Sequence, residues 1–160
     1  MEKQKTISLL VKDHPGVMQR VTSLFTRRGF NMESITVGAS EEAGASRIII
    51  VTTGDDSLVK QILNQLLKLV DVYEATLLRP AETVTRELAL MKMNIDPSKN
   101  EELAGIVERY QATVVDIGTK TMIIQAVGDT EKINAIVEQL MPYGMSQLSR
   151  TGVMAMEKGS

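Results

Sequence analysis

The chain contains no cysteine and no tryptophan, a single histidine, and aromatic residues at only 3% of its 160 positions. Without cysteine there is no disulfide framework, no thiol nucleophile and no thiolate metal site. One histidine, His14, makes neither a metal site nor a catalytic dyad by itself. Charge of one sign is also lacking. Lys+Arg 18 against Asp+Glu 20 gives a formal net charge of −2 with no basic block, so nothing draws the chain to nucleic acid or an anionic membrane. No apolar run reaches membrane-spanning length, and Met1–Lys5 carries no apolar signal core, so the expected location is the cytoplasm. There is no Gly-x-Gly-x-x-Gly pattern, no P-loop and no Gly-x-Ser-x-Gly elbow, which leaves a nucleotide cofactor or an activated serine without support. With aromatics scarce, aliphatic side chains and ten methionines must fill the interior.

What the sequence does contain is alternating apolar and helical patterning along its whole length. Ile7, Leu9 and Val11 alternate as one face of a strand over Thr6–Val11. Val17, Val21, Leu24 and Phe25 recur at helical spacing up to a basic last turn and the stop Arg27-Arg28-Gly29. Strands at Asn31–Ala39 and Arg47–Thr53, a helix over Asp56–Leu69 and a strand at Val72–Leu78 complete a βαββαβ order. Its short connections predict an antiparallel sheet with two helices on one face. Arg79–Thr83 reads as a linker. The order then restarts, with strands at Arg86–Asn94, Thr113–Ile117, Met122–Val127 and Ser146–Met156 and helices over Ser98–Tyr110 and Thr130–Met141.

Part of the chain supports an internal duplication. Gly54-Asp55 precedes a helix carrying Ile62, Gln65 and Leu66, and Gly128-Asp129 precedes one carrying Ile136, Gln139 and Leu140 at the same offset. The match fails at the first turn. The first unit has Asp13-His14-Pro15-Gly16, whereas the second has Asn94-Ile95-Asp96-Pro97-Ser98 with no glycine beside the proline. A small-molecule site is therefore expected in the first unit alone.

That turn suits a carboxylate. A strand ends, Asp13 offers an N-cap oxygen, and Pro15 and Gly16 open a helix whose first N–H groups sit at a positive dipole end. Gly16 lets a ligand approach the backbone. Asn31 can both donate and accept, and Val17, Met32 and Ile35 offer a small apolar pocket. Taken one at a time, each residue has an ordinary structural role. Together they require the turn and the start of the second strand to lie at the same end of the sheet, or to meet across a dimer interface. Arg27-Arg28 complements a helix C-terminus, the Glu41-Glu42 loop faces water, and Met91, Met93, Met122 and Met141 read as core fillers. Core filling is also the leading reading for Met145, Met154 and Met156, with a flexible partner surface as the alternative.

Two longer stretches, Asp13-His14-Pro15-Gly16-Val17-Met18-Gln19-Arg20-Val21 and Leu24 to Val37 with its Arg-Arg-Gly-Phe-Asn core, carry a family resemblance. Ser46-Arg47, Leu67–Val72, Arg86–Lys92 and Ser149-Arg150-Thr151-Gly152 extend it over nearly the whole chain. On these motifs the sequence resembles the small regulatory subunits of acetolactate synthase (acetohydroxyacid synthase), whose N-terminal half is an ACT domain.

The resemblance implies two ferredoxin-like units: residues 1–79 as an effector-binding ACT domain, and 80–160 for dimerisation and catalytic-subunit contact. It implies a non-catalytic, homodimeric partner of a catalytic subunit that itself carries thiamine diphosphate, Mg²⁺ and FAD. It also implies activation of that subunit and feedback inhibition by a branched-chain amino acid, valine first and leucine or isoleucine after it. The effector set it implies is Asp13, His14, Pro15, Gly16, Val17 and Met18 from one chain, facing Asn31, Met32 and Ile35 of the other. Many relatives carry Asn where this chain has Asp13. Two other classes are weighed against this reading: a small enzyme on the same scaffold, which needs a catalytic constellation the sequence lacks, and an amino-acid-sensing transcriptional regulator, which needs a DNA-reading surface.

Overall fold

In a computed structural model, described over residues 3–159, the chain forms two βαββαβ units. Residues 1, 2 and 160, at the outer limits of the two expected domains, lie outside the described residues. The first unit contains β1 (Lys3–Lys12), α1 (Val17–Arg27), β2 (Asn31–Ala39), β3 (Ala45–Gly54), α2 (Asp56–Leu67) and β4 (Val72–Leu78). Its sheet runs β2-β3-β1-β4, and every pairing is antiparallel.

The alternation in β1 sends Ile7, Leu9 and Val11 to one face, where they meet Ile48 and Ile50 of β3. Val17, Val21, Leu24 and Phe25 of α1, and Val59, Ile62 and Leu66 of α2, close over the same face. Each such aliphatic group contributes roughly 1.5–3 kcal/mol on burial. Gly29 has φ of 69° and ends α1, and Phe30 turns back to meet Phe25 edge-on at 6.1 Å.

The second unit repeats the plan with β5 (Thr83–Asn94), α3 (Asn100–Arg109), β6 (Thr113–Ile117), β7 (Thr121–Gly128), α4 (Thr130–Leu140) and β8 (Met145–Arg150). Its strand order, β6-β7-β5-β8, corresponds position by position to that of the first sheet. Its core joins Ala89, Met91 and Met93 to Ile124, Ala126, Leu103, Ile106, Ile133, Ile136 and Leu140. Met91 and Met93 are core fillers as expected, and Met122 and Met145 pack against the cluster. Met141, Met154 and Met156 do not: they are 53%, 57% and 75% exposed.

Four local expectations need correction. Pro97–Lys99 forms a 3-10 turn ahead of α3, so that helix starts at Asn100 and not at Ser98. The expected linker holds a 3-10 turn at Pro80–Glu82, and β5 begins at once with Thr83. The expected single strand Ser146–Met156 is two, β8 and β9 (Met154–Glu157). The break falls where the Thr151 hydroxyl accepts the Leu88 N–H at 2.9 Å in place of a strand carbonyl, and Gly152 follows. The compact units also divide after Val84 and not after Arg79, and the segment from Gly152 onward belongs with the first unit.

Candidate functional site

The β1–α1 turn is tied down by contacts within the chain. The Lys12 N–H donates to the Asp71 carbonyl and the Asp13 N–H to the Gly44 carbonyl, both at 2.8 Å. Arg20, one turn into α1, forms an ion pair with the Asp71 carboxylate. Asp13 is not the helix cap. The N-cap is Gly16, at φ 90°, and no side chain accepts from the first turn. The left-handed backbone there favours glycine, while a Cβ at Gly16 would meet only the Arg20 guanidinium at 3.5 Å. Glycine is thus required by conformation and not by crowding within the chain.

The starts of α2 and α4 are each closed by an aspartate. The Asp55 carboxylate accepts from the Leu58 N–H and the Asp129 carboxylate from the Lys132 N–H. In the second unit's counterpart of the first turn, Asp96 Oδ1 accepts from both the hydroxyl and the N–H of Ser98. Those two bonds, the hydroxyl first, hold the Asp96 carboxyl below the usual carboxylate range. Neither α1 nor α3 has a side-chain cap of its own, but the turn ahead of α3 is closed by Asp96, whereas the turn ahead of α1 holds no such acceptor and is a ready place for a carboxylate.

Asp13, His14, Pro15 and Gly16 are exposed, whereas Val17 is 3% exposed within the core and is no pocket wall. Met18, Met32 and Ile35 are half-buried and pack on that core, so their outer atoms line its margin. Met32 and Ile35 share a face although three residues apart, which plain alternation forbids. A β-bulge explains this: Met32 opposes Thr52 and Ser34 opposes Val51, which leaves Glu33 unpaired.

Glu33 is the site residue that sequence reasoning missed. Its carboxylate accepts from Gln4 Nε2 at 2.6 Å, from the Thr53 hydroxyl, and from Asn31 Nδ2 at 3.5 Å. It therefore orients the Asn31 amide, while the buried Thr52 hydroxyl donates to the Asn31 carbonyl. The one signal available was a carboxylate placed inside an otherwise uncharged strand.

The turn and the start of β2 do not meet within one chain. Asn31 is in register with Thr53, whereas Ala39, in register with Ser46, lies at the end where Lys12 pairs with Ala45. Seven residues of β3 separate the two, or about 24 Å of sheet. The same-end alternative is therefore wrong, and a shared site requires a second chain. Among the described residues no group of three or more His, Cys, Asp or Glu is placed to hold a metal ion, and no helix is long and apolar enough to cross a membrane.

Comparison with known proteins supplies the family. Residues 7–74 match the model of an AHAS small subunit-like ACT domain, and residues 86–159 that of the small subunit of acetolactate synthase. The chain is 46% identical to the probable acetolactate synthase small subunit of Methanothermobacter thermautotrophicus, over 96% of this chain and 92% of that one. It is 41% identical to the small subunit of Bacillus subtilis, over 98% and 92% respectively. The crystal structure of the Thermotoga maritima small subunit superimposes with a TM-score of 0.94 over 99% of each chain, at 38% identity. With both halves matched in order and relatives covered almost end to end, this chain belongs to the family of acetolactate synthase small subunits.

Proposed function

We propose that this chain is a regulatory, non-catalytic subunit that activates a separate acetolactate synthase catalytic subunit and makes it sensitive to a branched-chain amino acid, valine in the first instance. Thiamine diphosphate, Mg²⁺ and FAD are assigned to the catalytic subunit. The observation that carries the effector reading is the open turn at Gly16: a preformed helix start with no side-chain cap, in a chain whose equivalent turn is closed by Asp96.

The effector carboxylate is received by the first N–H groups of α1, and the Asp13 carboxylate faces its ammonium. The amide of Asn31, with Met32 and Ile35 beside it, comes from the second chain. Edge-strand geometry supports this assignment. β2 is a nine-residue strand at the sheet margin, and Val37 on it is exposed. A bare edge of this length invites pairing. Antiparallel pairing of two β2 strands about Ile35 sets Asn31 of the partner subunit level with Ala39, at the end of the sheet that carries the open turn. Two equivalent sites result from one two-fold axis. If valine lowers activity, it binds the inhibited assembly more tightly, by the same factor.

Calorimetric titration of valine, leucine and isoleucine, with and without the catalytic subunit, tests the reading. Gly16→Asp, and to a lesser degree Asn31→His, is expected to abolish the heat of binding and the inhibition while activation survives. Undiminished valine inhibition of Gly16→Asp would refute the site.

A further inference from the structure

The two units fill the space between first helix and outer strand differently. Counted from the left-handed residue that follows each helix, Gly29 or Gln111, the turn itself is the same. The Phe30 N–H donates to the Phe25 carbonyl and the Ala112 N–H to the Val107 carbonyl, both at 2.9 Å. Where the first unit sets two phenylalanine rings together, the second has valine and alanine. Met18 and Met32, which pack on the first core, are likewise replaced by Asn100 and Val114. The smaller side chains leave a groove of about 310 Å³, walled by Leu103, Ala104 and Val107 of α3, Val114 and Ile117 of β6 and Met122 of β7.

The edge beside this groove is bare. β6 ends the second sheet with β7 as its neighbour, and all five of its residues are exposed. Val114, Val115 and Ile117 are 38%, 49% and 72% exposed. An outer strand keeps main-chain donors and acceptors free for one more strand.

The surroundings are acidic. Glu108 lines the groove, and Glu101 shares the helix flank of Ala104 and Glu108 by its spacing. Asp116 stands between Val114 and Ile117 on the sheet's other face, opposite Ile123. Among the described residues none of these three carboxylates is in an ion pair. Counted from the same left-handed residue, the first unit has the uncharged Gln19, Thr26 and Ser34 in their places. That difference decides what the edge can receive. Pairing of β6 with its own copy about Val115 sets the two Asp116 carboxylates about 8 Å apart, with acidic helix flanks on both sides. A second copy is disfavoured and a basic partner is favoured.

We infer that the β6 edge and its groove receive an extended segment of the catalytic subunit, one in which apolar side chains alternate with lysine or arginine. The segment adds a strand to β6, and its apolar side chains enter the groove. Its cations meet Glu108 at the groove and Asp116 on the opposite face. The inference rests on the reading above, that the chain serves a separate catalytic subunit, and names the surface it uses.

The test uses the full chain and its catalytic subunit. Glu108→Lys with Asp116→Lys reverses the charge, and Ala104→Phe plugs the groove from an exposed helix position. Affinity for the catalytic subunit is expected to fall about tenfold or more in each. The charge variant is also expected to lose most of the salt dependence of the wild type. Adding the catalytic subunit is expected to slow amide exchange over residues 113–117, and the oligomeric state of the isolated chain to stay the same in both variants.

Wild-type affinity in both variants, or unchanged exchange over 113–117, overturns the inference and leaves the regulatory reading intact. Weaker binding in Ala104→Phe with wild-type binding in the charge variant overturns the basic segment. A changed oligomeric state of the isolated chain in either variant assigns the edge to a second copy and overturns the inference. A wild-type chain that binds no catalytic subunit overturns the regulatory reading and this inference together. Should Ala104→Phe fail to fold, the charge variant decides alone through its affinity and salt dependence.

Discussion

The two units share strand order, helix placement and core, yet they differ at three places: the first turn, the end of the first helix and the helix-free face. What they share is what folding demands. Gly54-Asp55 and Gly128-Asp129, the signature of the duplication, prove to be structural. Each glycine gives clearance to the side chain four residues on, since a Cβ would lie 2.6 Å from Leu58 Cδ2 or 2.4 Å from Lys132 Cδ. Each aspartate caps the helix that follows. What differs is what folding leaves free. The first unit keeps an open turn at Gly16 and lays the Gly152 segment over its helix-free face. The second closes its turn with Asp96, and Leu90 and Val127 on its sheet are 39% and 43% exposed. A duplicated scaffold thus keeps its core and the aspartate caps of α2 and α4, and diverges at the first turn and on the helix-free face.

Ile50 and Ile124 occupy matching core positions, opposite Ile7 and Met91, and both are fully buried. Ile50→Ala and Ile124→Ala should each cost about 2–5 kcal/mol by chemical denaturation. A loss below about 1 kcal/mol in either would break the equivalence of the two cores.

Polar anchoring is unequal. Glu87 is 5% exposed, accepts from Arg150 Nε at 2.9 Å and from the Thr130 hydroxyl, and ties the last strand of the second unit to its first. Glu87→Ala leaves the Arg150 charge half-buried and uncompensated and should destabilise by about 3 kcal/mol. Glu87→Gln, which keeps a hydrogen-bonding group, should cost less. An equal loss in the two would assign the effect to packing and not to charge.

A smaller effect sharpens the contrast between helix ends. Gly29 ends α1 at φ 69°, whereas Gln111 holds the same left-handed conformation after α3 at φ 53°. Gln111→Gly should stabilise the second unit by about 0.5–1 kcal/mol and Gly29→Ala destabilise the first by about 1 kcal/mol, read from denaturant midpoints.

The smallest effect is electrostatic. Lys5 donates to Asp56 at 3.0 Å and holds its exposed carboxyl below the ordinary value. A carboxyl lowered in the folded state contributes stability above its unfolded pKa and loses it as the pH falls through the folded one. Asp56→Asn should therefore show a slight thermal destabilisation at neutral pH that disappears in strong acid. A difference that persists in acid would locate the effect elsewhere.

Local chemistry made most of the fold readable in advance. The alternation in β1, the helical spacing of Val17, Val21, Leu24 and Phe25, and the glycine stop at Gly29 are each settled within a few residues of chain, and the observed elements follow them closely. The turn at Gly16 was legible for the same reason. Asp13 reads as a cap and is none, because an aspartate before Pro-Gly carries the same signal whether or not the backbone brings its oxygen to the helix. The bulge at Glu33 gave no signal, since it exists only in the pairing of β2 with β3.

Sequence by itself therefore determined the order of elements, the duplication, the family and the glycine turn, because each rests on neighbours close in the chain or on motifs that can be compared directly. Tertiary structure alone decided that Asn31 and the turn lie at opposite ends of one sheet, that Glu33 orients Asn31, and that Gly152 leaves the last strand to lie on the back of β2. Those facts depend on register and on close approach between residues distant in sequence, where a shift of one position changes every contact.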